Sequence, residues 1–280
     1  MSWWEKEYTG LNSITEVINS LRAFFTAAGW VESNYTASDN TQILLKTKDT
    51  HLGSNGILHI VVNGSDIEFH AYKPGYAAFA DPNSFDSPDD TYLVGGANYN
   101  SAQDYFIATS YPQKLTYSTF PDGIWLFSDG NFFYAFKTSD KSNAVYGGLI
   151  MDRQLEFGFF LGAQYNYYYN SMQIGGTITK GNETTFVTLE ISVSRIGENG
   201  SDTLYGHNID GYPGRVVTKS WIYINVDGSR ELLELPHMRL GIKNAYSAGD
   251  TVTVGSTVYE FVYDNGHAAI LVQQGTDPTG

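Results

Sequence analysis

The chain has 280 residues, enough for one large β domain or two smaller ones. Only 16% of them are charged, and 16 basic against 30 acidic side chains give a net charge of −14. That balance excludes wrapping of nucleic acid, which needs clustered Lys and Arg, and the absence of cysteine excludes disulfides and thiolate metal sites.

The charge deficit is filled by Tyr (21), Phe (16) and Gly (29), with many Asn, Ser and Thr. Aromatic and β-branched side chains suit a pleated, half-buried surface, and Gly and Asn suit the turns between strands. The composition predicts a β-rich globular protein with aromatic surfaces of the kind common at protein interfaces. At the N-terminus, Met1-Ser2-Trp3-Trp4-Glu5-Lys6-Glu7 has neither a basic n-region nor an apolar h-region, so no signal peptide is read there. No apolar run approaches the ~20 residues of a membrane span, and no membrane partner is expected.

In chain order, the first element is a helix. Ser13 and Glu16 have capping-box spacing, and Ile14, Val17, Ile18, Leu21, Phe24, Phe25 and Ala28 form one apolar stripe. Gly29 stands where a C-cap glycine belongs. Strands are expected at Gln42–Thr47, Gly56–Asn63 and Asp66–Tyr72, the last two joined across Asn63-Gly64-Ser65. Residues 1–80 therefore read as a helix packed on an antiparallel meander.

Residues 81–235 read as a β-rich central region that is sandwich-like or extended. It opens with the polar, proline-punctuated loop Asp81–Asp90. A hairpin is predicted from Gly123–Phe127 and Asn131–Lys137 around Ser128-Asp129-Gly130, with a strand before it at Lys114–Ser118. Further strands are expected at Phe157–Leu161, Met172–Thr179, Thr184–Ser194 and Ser220–Val226. Residues 236–280 form a small β ending, with strands Thr251–Val254, Thr257–Tyr263 and Ala268–Gln273, and Gly275–Gly280 is expected to fray. The fold class predicted is α+β, predominantly β.

Chemical motifs are sparse. The six histidines include no His-x-His or His-x-x-x-His pair. His59 and His70 fall on neighbouring strands and can meet, but a zinc site needs three or four converging ligands, so no metal site is assigned. Asp81, Asn83, Asp86, Asp89 and Asp90 are hard oxygen donors without EF-hand spacing, and a solvated acidic loop is preferred to a calcium site. Nucleophile elbows and phosphate loops are missing. The chain is read as a non-enzyme without a catalytic residue or cofactor. A glycosidase needs two facing carboxylates, whose separation sequence does not reveal, so that class stays as a lesser alternative.

The cluster Tyr165-Asn166-Tyr167-Tyr168-Tyr169-Asn170 has two readings of equal weight. Tyr165, Tyr167, Tyr168 and Tyr169 form either an interaction surface, for sugar rings or a protein partner, or a loop whose rings pack back on a sheet. The first of these makes a carbohydrate- or receptor-binding module the alternative function.

The segments Trp125–Lys137 and Asn143-Ala-Val-Tyr146-Gly147-Gly148-Leu149 resemble a hairpin-plus-Tyr-x-Gly stretch of phage virion proteins encoded among neck and tail genes. The helix-then-meander start is similar in order to tail-terminator proteins, which form hexameric rings at the top of a tail tube. Val258–Val262 and Ala268–Val272 are similar to the β ending of the same group. The resemblance implies a structural subunit of a tailed-phage virion, in the neck or tail, with no cofactor. Its implied partners are its own copies in a ring and other neck and tail proteins, with DNA passing the lumen unbound. The implied location is the virion, after assembly in the host cytoplasm.

Overall fold

The computed structural model describes residues 2–33, 36, 38–51, 54–72, 113–149, 159–163, 172–180, 183–191, 217–226, 229–242, 244–264 and 268–279. The chain is predominantly β with one helix among these residues, as its composition predicts. In order come β1 (Trp4–Leu11), α1 (Ile14–Ala27), β2 (Val31–Glu32), β3 (Gln42–His51), β4 (Ser54–Asn63), β5 (Asp66–Tyr72) and β6 (Gln113–Thr116). They are followed by β7 (Asp122–Ser128), β8 (Phe132–Lys137), β9 (Ala144–Leu149), β10 (Phe159–Ala163), β11 (Met172–Lys180) and β12 (Glu183–Ile191). The last are β13 (Val217–Val226), β14 (Ser229–Ile242), β15 (Thr251–Val254), β16 (Thr257–Asp264) and β17 (Ala268–Gln273).

The caps of α1 are the ones its sequence predicts. Ser13 Oγ accepts from the Glu16 N–H at 3.2 Å, and Glu16 Oε2 accepts from the Asn12 N–H at 2.9 Å. At the far end Gly29 takes φ +102°, and the Trp30 N–H reaches the Phe25 carbonyl at 3.0 Å. That left-handed step satisfies a carbonyl the helix would otherwise leave bare.

The smaller sheet has the order β2-β3-β4-β5-β6. Its inner face offers Ile43, Leu45, Leu58, Ile60, Ile67, Phe69 and Leu115 to Val17, Ile18, Leu21, Phe24 and Phe25 of α1. The helix thus lies on the meander as expected. The same core takes in Ile124, Leu126, Phe133, Ala135 and Val145 from β7, β8 and β9, so α1 is covered by both sheets.

The larger sheet has the order β1-β7-β8-β9-β10-β11-β12-β13-β14-β17-β16-β15, all antiparallel. Every residue of β7, β8 and β9 is buried. Their second face carries Trp125, Phe127, Phe132, Tyr134, Phe136 and Tyr146. This face meets the C-terminal strands: Tyr134 Oη donates to the Pro236 carbonyl at 2.5 Å, and Phe136 lies 6.0 Å from Tyr263 between ring centroids. The large sheet therefore turns back on itself in a sandwich-like manner, and β7–β9 lie between the core around α1 and the C-terminal strands.

Three outcomes were not expected. The segment Trp4–Leu11 is a strand and joins β7 rather than the N-terminal meander. The expected division between 235 and 236 falls inside β14. The tail does not fray: Thr276 forms a parallel bridge with Trp4, and its N–H and C=O bond the Trp3 carbonyl and the Glu5 N–H at 3.2 and 2.9 Å.

Candidate functional site

The best-defined polar constellation gathers around the β7–β8 turn, Ser128–Phe132. Asp129 Oδ1 accepts the N–H groups of Asn131 (2.8 Å) and Phe132 (2.7 Å), which folds the turn. Ser128 Oγ accepts from Trp30 Nε1 at 2.9 Å and donates to the Phe132 carbonyl at 2.8 Å. Asn131 bonds Asp49 twice, accepting from its N–H at 2.8 Å and donating from Nδ2 to Oδ2 at 2.6 Å. The turn is thereby fixed to the smaller sheet.

Its approach to β9 leaves no space for a side chain. A Cβ on Gly148, where φ is +138°, would lie 2.0 Å from the Asn131 carbonyl oxygen and 2.5 Å from Phe132 Cα. This is the physical demand behind the Tyr146-Gly147-Gly148 stretch that the sequence singles out.

On its other side the turn meets the two chain ends. Asp129 Oδ2 is 3.6 Å from His237 Nε2, and His237 Nδ1 is 2.9 Å from Gln273 Oε1. The imidazole stacks on Trp3 with centroids 4.0 Å apart and planes 20° from parallel. Trp3 Nε1 donates to the Gln273 carbonyl at 2.7 Å. Burial pushes the Asp129 carboxyl up, but the neighbouring His237 imidazole and the two turn N–H groups outweigh it and hold the carboxyl below its ordinary range.

Further along this seam, Glu5 Oε1 accepts from Trp125 Nε1 at 3.0 Å, and Oε2 accepts from the Gly275 N–H at 2.8 Å. Burial raises the Glu5 carboxyl, and the charges of Glu260 and Glu7 push the same way against those two hydrogen bonds. Lys6 closes the seam with an ion pair to Asp277 at 3.0 Å.

A carboxylate beside an imidazole also occurs in acid–base catalysis, where the other ring nitrogen must face a reacting group. Here both nitrogens of His237 face protein oxygens and one ring face is covered by Trp3. The arrangement suits a peg holding strands together. The pair Asp122–Lys137 is similar: Lys137 Nζ lies 3.3 Å from the Asp122 carboxylate, both almost fully buried. Burial pushes the Asp122 carboxyl up, but hydrogen bonds from Ser139, Gly123 and Lys137 hold it below its ordinary value.

His59 and His70 do meet, as directly opposed residues of β4 and β5 with ring centroids 6.1 Å apart. His59 Nε2 lies 2.9 Å from Gln42 Oε1, and His70 Nε2 lies 3.4 Å from Glu68 Oε2. Burial, then the neighbouring His70 charge, pushes His59 down to about 4. Among the described residues no group of three or more His, Asp or Glu is placed to hold a metal ion.

Tyr165, Tyr167, Tyr168 and Tyr169 lie outside the described residues, as does the loop Asp81–Asp90. Trp3, Asp129, His237 and Gln273 were not predicted as a group. They come from four distant places, and nothing local in the sequence signals that they meet. No protein-family model matches the chain, and no curated protein matches it.

Proposed function

We propose that this chain is a structural subunit of a tailed-bacteriophage virion, placed in the neck or tail and working through protein–protein assembly. In this reading it forms a ring with its own copies, as tail terminators and collars do, and contacts other neck and tail proteins. It uses no cofactor and performs no catalysis.

The observation that carries the reading is the use of polar side chains in the described core. Asp129 with His237, Asp122 with Lys137 and Glu5 with Trp125 and Gly275 all fasten strands to one another. Of the strands formed by the phage-like stretch, β7 to β9, the first pairs with β1, and β1 in turn holds the C-terminal end. A subunit under mechanical load in a particle benefits from ends anchored inside the sheet. The net charge of −14 suits a lumen past which DNA slides without being held.

Multi-angle light scattering and cryo-electron microscopy of the purified chain test this directly. A ring-sized species, or capture by a purified tail protein, is the expected result. A strict monomer that binds no tail protein overturns the proposal.

A further inference from the structure

β1 has β7 along one edge and the C-terminal residues along the other. Its pairing with β7 is antiparallel and runs from Trp4↔Ser128 to Leu11↔Asp122. Across the other edge the bridge Trp4↔Thr276 is parallel. Two backbone bonds close it, from the Thr276 N–H to the Trp3 carbonyl at 3.2 Å and from the Glu5 N–H to the Thr276 carbonyl at 2.9 Å. Side chains extend the contact on either side. Trp3 Nε1 donates to the Gln273 carbonyl at 2.7 Å, the Gly275 N–H donates to Glu5 Oε2 at 2.8 Å, and Lys6 pairs with Asp277 at 3.0 Å. The fit is close, since a Cβ on Gly275 would lie 2.6 Å from the Trp4 carbonyl carbon.

The directions of the two segments give this contact a mechanical sense. When the chain is pulled before Trp3 and after Thr279, two parallel neighbours are drawn in opposite directions along their common axis. Bonds between strands lie across that axis, so they are strained together rather than one after another. Both segments are also backed: β1 pairs with β7, and residues 273–279 continue from β17, which lies between β14 and β16.

We propose that β1 and residues 273–279 form a shear clamp that resists force applied along the chain ends. This goes beyond the ring reading, because the clamp is complete within one chain. Forced unfolding follows the rate of unfolding rather than equilibrium stability. The clamp therefore gives variants that lose force while keeping most of their stability. Thr276 is exposed, and Lys6–Asp277 is a surface ion pair of the kind that adds little at equilibrium.

The test is single-molecule force spectroscopy of the full chain, with urea unfolding beside it. The chain has no cysteine, so a handle on Ser65→Cys, in the exposed β4–β5 turn, is unique. The native protein, Thr276→Pro and Lys6→Ala are each pulled by the two ends, and then between the N-terminal end and residue 65. Thr276→Pro removes the N–H that bonds Trp3, and Lys6→Ala removes the ion pair without touching the backbone. The expected result is a lower end-to-end rupture force in both variants with a nearly unchanged urea midpoint. In the second direction residues 273–279 carry no load, and the force should match that of the native chain. Native end-to-end force in both variants overturns the clamp, and so does an equal loss in both directions. Neither result touches the ring reading, which light scattering decides separately.

Discussion

The imidazole of His237 lies 4.0 Å from the indole of Trp3, with the ring planes 20° apart, and this contact joins the N-terminal strand to β14. Trp3 is only 5% exposed and also stacks on Phe127 at 6.3 Å. Truncating it leaves a cavity at the place where both chain ends enter the sheet. Trp3→Ala should cost about 3–5 kcal/mol in urea unfolding. His237 also holds φ +59°, a left-handed conformation that costs a non-glycine residue roughly 1–2 kcal/mol. His237→Gly should therefore be less damaging than His237→Ala, although both lose the stack. Equal stability of the two variants would remove the strain argument.

Acid should loosen the same seam. The folded Asp129 carboxyl sits below its ordinary value, so its contribution to stability is complete above the unfolded value of about 3.9 and fades as pH falls through the folded one. Asp129→Asn should be less stable than the native chain at neutral pH, with the difference shrinking in strong acid. Chemical denaturation from pH 7 to pH 2 reads this, and a difference that does not depend on pH would contradict it.

His59 has an effect at higher pH. Its folded value is pushed down to about 4, whereas an unfolded histidine titrates near about 6.5, so in that window the unfolded chain binds the extra proton. Stability due to the neutral ring is thus present above about 6.5 and is lost as pH falls toward the folded value, by roughly 3 kcal/mol in all. His59→Gln should flatten the stability profile across this window. A His59 signal that titrates like free histidine in NMR would show the idea to be mistaken.

Two glycines with positive φ should behave differently. At Gly148 an added methyl meets the Asn131 carbonyl oxygen at 2.0 Å, whereas at Gly64, with φ +62°, nothing lies within 4 Å. Gly64→Ala should cost only the backbone strain, roughly 1–2 kcal/mol. Gly148→Ala must move the β7–β8 turn as well and should cost more than about 3 kcal/mol, or prevent folding. Comparable melting temperatures for the two would argue against the close packing of β9 on that turn.

The buried pair Asp122–Lys137 supplies a further comparison. Removing Lys137 takes away the counter-charge of the buried Asp122 carboxylate and leaves it only the Ser139 and Gly123 hydrogen bonds, a loss of up to about 3–5 kcal/mol. Lys137→Met should show this loss, and Lys137→Met with Asp122→Asn should recover part of it. A double variant worse than the sum of the two single ones would reject the pairing.

By itself the sequence determined the elements whose causes are local. Ser13, Glu16 and Gly29 announce the ends of α1 because a cap is a bond between near neighbours. The hairpins at Gly64-Ser65 and Gly255-Ser256 were legible because a tight turn depends on the φ of one or two residues. What only the tertiary structure decided was where those pieces go. In Trp4–Leu11 the charges of Glu5, Lys6 and Glu7 hide a strand pattern, and the segment becomes a strand through pairing with β7. Neither is double-sided burial of β7–β9 visible in their apolar runs, because a run does not say what covers each face. The seam of Trp3, Asp129, His237 and Gln273 is the extreme case. Its bonds join residues with no common local signal, and only the folding of the large sheet back on itself brings them within reach.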